Sequence, residues 1–523
     1  MASFIIRVWT LVAFVCLNLS LVKADTPTLE AITAKLEGGR ACCTALDFFL
    51  PKKVFTKLHP AYGISQLSFW SAQEQSLKPA CILIPETQED VQLAVTVLNI
   101  GVKAGISSCK FAVRGAGHTP TAGAANIEDG VTIDMQKMND VVIDAGNKAI
   151  TFGPGNRWGN IFPKLDDQDL AMVGGRVSTV GTAGLITGGG VSFFSGRKGF
   201  VADNIKSATL VLANSTVVTA SATSNSDLYR AIKGGTNNFG IITSFTADIF
   251  EQQKFWGGEV VQPITNKDKL IEYLVSSFTS ETFDPYAALI TDLIWVSGIP
   301  AVIHQLAYTD GSKSWPPPAF KPLVELPTLA STVRKSHLSD FTTEIAAAAV
   351  VTEDKNNLLV TLTFANKGEV SVNFMKEVYE LADKTVKSLL SVLTLNFIMT
   401  FQPLPHALYT KGAENGNGAN VLGLERFDED LFNLLFTLSW PLALDNAKVE
   451  AAMKELEQKI KKLSQTMGVD NEFVYLNYAA GWQNPLASYG QENVNFLKSV
   501  ANKYDPSGLF QTGVPGGFKL SNL

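Results

Sequence analysis

Apolar positions recur along this chain in two rhythms. After the acidic run at 86–90, Val91, Ala94, Val95 and Leu98 fall at helical spacing, with carboxylates where a helix N-terminus favours negative charge. The same rhythm predicts long amphipathic helices over 370–390 and 447–467, and shorter ones over 28–36, 227–232 and 494–504. Short apolar or alternating runs predict strands entered at 79–85 and at 111–113, then at 131–135, 141–143, 149–152, 358–364 and 396–401. Residues 207–212 and 217–219 predict a hairpin, while 315–318 and 412–418 read as loops. No internal repeat or low-complexity tract stands out.

Two glycine-bearing stretches interrupt these rhythms. Phe111-Ala-Val-Arg-Gly-Ala-Gly-His-Thr-Pro120 leads from an apolar strand into a loop. There Gly115 and Gly117 free backbone N–H groups for an anion such as a pyrophosphate, Arg114 adds charge and His118 stands beside whatever is held. A tight turn with a surface histidine is the alternative. The second stretch, 178–204, reads STVGTAGLITGGGVSFFSGRKGFVADN, with seven glycines in the nineteen residues from Gly181 to Gly199. Such density is costly in conformational entropy and points to close backbone approach to a ligand or to unusual dihedrals. Interleaved Leu185, Ile186, Val191, Phe193 and Phe194 argue against a floppy linker. Gly153-Pro-Gly-Asn-Arg-Trp-Gly159 imitates a dinucleotide fingerprint, but its spacing is G-x-G-x-x-x-G, and it reads instead as a helix start packed on a sheet.

The length of 523 residues makes two domains comfortable. Hydrophobic residues at 46% and charged residues at 18% can fill a large core. A net charge of -6 leaves no basic footprint, which excludes nucleic acid as a partner. Residues 1–24 read as a secretory signal with Arg7 in its positive region and Val22-Lys23-Ala24 at its cleavage site, so secretion is expected, without stable membrane insertion; a membrane anchor is the alternative. Four cysteines remain beyond it, and Cys42 or Cys43 is expected to bond Cys81 or Cys109. Asn214-Ser215-Thr216 is a glycosylation sequon. The five histidines show no metal-ligand spacing, and no G-x-S-x-G elbow or phosphate-binding G-x-x-x-x-G-K-[ST] loop occurs.

Taken together, Arg114-Gly-Ala-Gly-His118, the 178–204 segment, Gly234-Gly-Thr-Asn-Asn-Phe-Gly-Ile-Ile-Thr-Ser-Phe245, Tyr475-Leu-Asn-Tyr478 and the Tyr504-Asp-Pro-Ser-Gly-Leu-Phe510 ending resemble the vanillyl-alcohol-oxidase/PCMH family in its berberine-bridge-enzyme-like branch. The resemblance implies an α+β, two-domain PCMH-type FAD-binding fold whose second domain is an antiparallel sheet flanked by helices. It divides the chain into 25–253, a substrate domain at 254–474, and a return to the FAD domain at 475–523. It implies FAD held through one covalent link from His118 to the 8α-methyl, because Val177 stands where many relatives carry a second, cysteine link. Arg114, Gly115, Ala116, Gly117, Thr119, Thr179, Val180, Gly181, Ala183, Gly184, Gly188, Gly189, Gly190, Gly240, Ile241, Ile242 and Asn477 are the implied cofactor contacts. Ala116 departs from the family's glycine there.

The implied reaction is that of a secreted oxidase. Tyr478 takes a proton from a substrate alcohol or amine, Tyr475 assists, Asn477 positions, and O2 accepts the electrons as H2O2. Val180 is the residue that tends to accompany oxygen use. A phenol is a base only near pH 10 unless a neighbour stabilises its charge, and the sequence does not identify that neighbour. On a straight strand Tyr475 and Tyr478 would face opposite ways. An oxidative cyclase or isomerase, and a non-catalytic flavin-binding protein, are the alternative readings. Doubly linked relatives commonly have open sites and oxidise sugars, so the single link implies a more enclosed site and a smaller or more apolar organic substrate such as a secondary metabolite; its identity and the oligomeric state stay open.

Overall fold

A computed structural model describes residues 28–36, 40–296 and 298–523. The expected signal segment lies outside the described residues.

Three sheets organise the chain. The first has the order β1-β2-β4-β3, built from β1 (Val54–Phe55), β2 (Cys81–Leu83), β3 (Phe111–Arg114) and β4 (Val131–Asp134). Strands β2, β4 and β3 run parallel. The helix Gln88–Lys103 covers them. Its start is a capping box in which Thr87 and Asp90 exchange side-chain to backbone bonds, and its buried face carries Val91, Ala94, Val95 and Leu98. Disulfides Cys42–Cys109 and Cys43–Cys81 tie the helix Ala41–Phe49 to this unit. Gly101 is glycine because a side chain there would run into the Cys42–Cys109 sulfurs.

The second sheet follows: β5 (Val141–Asp144), β6 (Ala149–Phe152), β7 (Leu170–Met172), β8 (Ile205–Val211), β9 (Val217–Ser221) and β10 (Ile241–Glu251). Its order is β5-β6-β10-β8-β9, with β7 also on β10. The stretch 153–159 leads into the helix Trp158–Asp166, whose Trp158, Ile161 and Phe162 are buried on this sheet. The helix Gln491–Tyr504 returns to pack beside the helix Ser226–Ile232.

The third sheet holds nine strands from Phe255 to Asn471, all pairings antiparallel. They are β11 (Phe255–Pro263), β12 (Ala287–Val296), β13 (Ile299–Tyr308), β14 (Ala330–Ser331), β15 (Arg334–Ser336), β16 (Asn356–Ala365), β17 (Asn396–Leu404), β18 (Leu431–Trp440) and β19 (Asp470–Asn471). One face packs on the helices Lys267–Ser277, Glu369–Ser388 and Asn446–Met467 through Leu293, Phe397 and Phe436. Alternation turns Asp292, Ile294, Ile303, Gln305, Ile398 and Thr437 to the other face, toward the first two sheets. The sequence pattern missed β11, β12, β13 and β18. Strands β12 and β18 are buried on both faces, which weakens the alternation between core and solvent that a period-2 signal needs. The loop read at 412–418 begins inside a short helical turn, Lys411–Glu414.

Candidate functional site

A cavity of about 740 Å³ lies between that sheet face and the glycine-rich segments. This is within the roughly 300–1,000 Å³ of small-molecule sites. At one end the loop after β3 supplies Gly115, Ala116, Gly117, His118 and Thr119. Gly117 takes φ 69°, a left-handed turn that a side chain would resist. The backbone N–H groups of Ala116 and Gly117 find no acceptor among the described residues. Thr179, Val180, Gly181, Ala183 and Gly184 form an adjoining wall, and Gly240, Ile241 and Ile242 another. A Cβ on Gly181 would collide with Ala116, so the methyl of Ala116 is housed by that glycine.

His118 is half-buried at this wall. Desolvation, reinforced by the positive charge of Arg157, pushes its imidazole down to about 4, so it is neutral near pH 7. Arg157 itself is tied back to the Ala116 carbonyl at 3.0 Å and to the Thr179 carbonyl.

At the other end the chain from Tyr475 to Tyr478 bends. A 3-10 turn spans Leu476–Tyr478, and Tyr478 N–H donates to the Tyr475 carbonyl at 3.0 Å. The bend resolves the geometric conflict of a straight strand: Tyr475, Asn477 and Tyr478 all reach the cavity. The two rings meet edge to face with centroids 4.8 Å apart. Their environments differ. Burial, and then the neighbouring Tyr478, push the Tyr475 hydroxyl well above the ordinary phenol range. Asn477 Nδ2 donates to Tyr475 Oη at 3.1 Å and to the Leu185 carbonyl at 3.0 Å, which fixes that ring. Tyr478 Oη instead accepts from the Arg176 guanidinium at 2.7 Å and from Gln402 Nε2 at 3.3 Å. Gln402 Oε1 accepts from the same Arg176 nitrogen at 2.7 Å. Arg176 is the cationic partner of that oxygen, which the sequence reading did not identify.

Two carboxylates complete the sheet side. Burial lifts Asp292 to about 6, opposed by its bond from Thr400 at 2.6 Å and by the charge of Arg176. Burial and the charges of Glu344 and Asp292 lift Glu259 to about 7.

Four expected cofactor contacts lie elsewhere. Arg114 does not face the cavity. The strand turns its side chain back into the fold, where it bonds Asp134 at 3.3 Å, the Ser65 carbonyl at 2.6 Å and the Ser68 carbonyl at 2.8 Å, and covers the Phe69 ring. Gly188, Gly189 and Gly190 are absent from the lining because they seat against Asn477, Leu422 and Val201, where a Cβ would clash. Their glycines serve chain-to-chain approach. The residues that do line the cavity fit a flavin dinucleotide: unpartnered N–H groups for phosphate, a neutral imidazole at the wall, and a polar tyrosine end. Among the described residues no cluster of His, Cys, Asp or Glu has the makings of a metal site.

Comparison with known proteins agrees with this geometry. A family model described as an FAD binding domain matches residues 79–221. The chain is 34% identical to the FAD-dependent monooxygenase drtC of Aspergillus calidoustus, over 96% of this chain and 94% of that protein. It is 33% identical to the FAD-dependent monooxygenase sdcF of Emericella nidulans, over 92% and 98% respectively. A solved variant of berberine bridge enzyme, described as a reticuline dehydrogenase, superposes with TM-score 0.71 at 17% identity, covering 89% of this chain and 97% of that one.

Proposed function

Because the chain belongs to the FAD-linked oxidoreductases of the vanillyl-alcohol-oxidase/PCMH family, in the berberine-bridge-enzyme-like branch, we propose that it is an oxidase removing hydride from an alcohol or amine carbon of a small organic substrate, with O2 as acceptor. The observation that carries this reading is Tyr478, held by Arg176 and Gln402 in the same cavity as His118. Bound FAD supplies the hydride acceptor and the means of passing electrons on to O2 as H2O2. Tyr478 takes the proton from the substrate hydroxyl or amine, and Arg176 faces the charge that then appears on the phenol oxygen. Asn477 locks Tyr475, which bounds the site without changing charge.

In this reading FAD is held covalently, through His118 alone. Its neutral imidazole is available for bonding, and Val177 lines the cavity where a second link would need a thiol. Ile294, Ile303 and Ile398 on the sheet face favour a substrate with apolar surface. Secretion is part of the proposal, supported by two disulfides that suit an oxidising compartment. Asn214 is exposed beside the turn of the β8–β9 hairpin, where a glycan has room.

The relatives' printed names favour a second reading, insertion of one oxygen atom into the substrate. The two separate on one experiment. Purified protein is mixed anaerobically with a panel of alcohols and amines, the flavin spectrum is read, and labelled O2 is then admitted. Bleaching before oxygen, with the label recovered only in peroxide, is the result expected of the oxidase. Label in the organic product overturns it in favour of the monooxygenase. Product formed anaerobically by net isomerisation overturns it in favour of an isomerase.

A further inference from the structure

The segment Trp70–Ala72 is a strap fastened on both sides. Toward the loop, Trp70 N–H donates to the Gly117 carbonyl at 3.1 Å and Ser71 Oγ donates to the Thr119 carbonyl at 2.8 Å. Toward the substrate-side residues, Asp354 N–H donates to the Trp70 carbonyl at 3.1 Å and Ala72 N–H to the Lys355 carbonyl at 2.8 Å. The indole is pinned as well: Trp70 Nε1 donates to Thr352 Oγ1 at 3.1 Å. So held, the indole lies flat on the His118 imidazole, with ring centroids 4.5 Å apart and planes 10° from parallel. A ring with two rotatable torsions is fixed in plane by a partner that cannot itself turn.

We infer that Trp70 is the positioning residue for flavin attachment, setting the plane in which His118 presents its nitrogen to the 8α-methyl. The inference rests on the covalent-link reading above. In that step one N–C bond forms to the 8α carbon, one methyl C–H bond breaks and the imidazole gives up its N–H. Two protons and two electrons leave, and O2 takes them as H2O2. The strap's role is geometric. Covalent steps tolerate little misplacement, and a shift of about 1 Å can cost ~10²-fold.

The test follows attachment apart from turnover. Full-length protein produced under riboflavin limitation is incubated with FAD in air. Acid-stable flavin is read against time, beside total bound flavin and Tm. Trp70→Phe, which keeps an aromatic face, is expected to attach near the wild-type rate. Trp70→Ala is expected to attach at least about 10-fold more slowly while binding FAD non-covalently. Thr352→Val, which removes the indole's acceptor and with it the hydroxyl's own bond to the Ala349 carbonyl, is expected to fall between them, and its Tm shows how much the second loss costs the fold. Should Trp70→Ala fail to fold, Trp70→Leu and Thr352→Val carry the comparison. Wild-type attachment rates in the alanine or leucine variant overturn the inference. Wild-type protein that loses all its flavin to acid overturns instead the covalent-link reading on which it rests.

Discussion

Arg176 and Tyr478 are 302 residues apart in sequence, yet the guanidinium donates to the phenol oxygen at 2.7 Å. Tyr475, next to it, takes its hydrogen bond from Asn477 instead and lies deeper. This asymmetry gives two otherwise similar tyrosines different hydrogen-bond partners, and the proposed roles of proton acceptor and fixed neighbour rest on it.

Tyr478→Phe is expected to slow anaerobic flavin reduction by about 10²–10⁴-fold, the usual worth of a positioned base, with reoxidation unchanged. Arg176→Met is expected to slow the same step. If the two act as one unit, the double variant is no slower than about the worse single variant. Stopped-flow reduction rates check this, and additive losses would separate Arg176 from Tyr478.

His118→Ala is expected to abolish acid-stable flavin while leaving non-covalent FAD binding measurable. The pH dependence of attachment carries a sign. With its imidazole pushed down to about 4, His118 is already neutral above that pH, and the neutral fraction falls only as pH drops through 4. The attachment rate should therefore be flat from about pH 5.5 to 8, without the break near 6.5 of an ordinary histidine. A tenfold rise across that window would refute this.

Val180 lines the cavity and is only partly buried. Val180→Ile adds one methylene at the wall. It is expected to slow reoxidation of reduced protein in air while leaving reduction by substrate within about twofold, because the change acts on access and not on the base. Equal slowing of both half-reactions would make Val180 a packing residue only.

Gly181→Ala places a methyl against Ala116. Overpacking of this kind costs about 1–3 kcal/mol, read as a lower Tm and weaker flavin retention. Ala116→Gly should restore much of the loss in the double variant; a double variant no better than Gly181→Ala would place the strain elsewhere.

The sequence was legible where one local pattern decides the outcome. The first-turn carboxylates and apolar stripe of the helix Gln88–Lys103 lie where the pattern put them, and the helices Glu369–Ser388 and Asn446–Met467 begin and end within about two residues of the pattern. Cys42 and Cys43 each found one of the two partners expected for them as a pair, but which took which depended on the turn of their helix. Arg114 lies off the cavity because adjacency to a glycine loop says nothing about side-chain direction, and strand alternation turned it inward. The glycines at 188–190 seat against Asn477, Leu422 and Val201, and the sequence does not separate this from approach to a ligand because both demand the same residue. Arg176 carried no signal, since Gly-Gly-Arg-Val has no pattern and its partners lie more than two hundred residues away.

The cavity's walls are drawn from distant parts of the chain, from Trp70 and the 115–119 loop to Phe510, Val514 and Phe518. A ribosome adding about 5–20 residues per second leaves the glycine cradle waiting tens of seconds for the residues that close its far side. Cofactor loading is for that reason an event of the finished polypeptide. A nascent chain, however well its first sheet has formed, has no enclosed chamber in which to retain a dinucleotide.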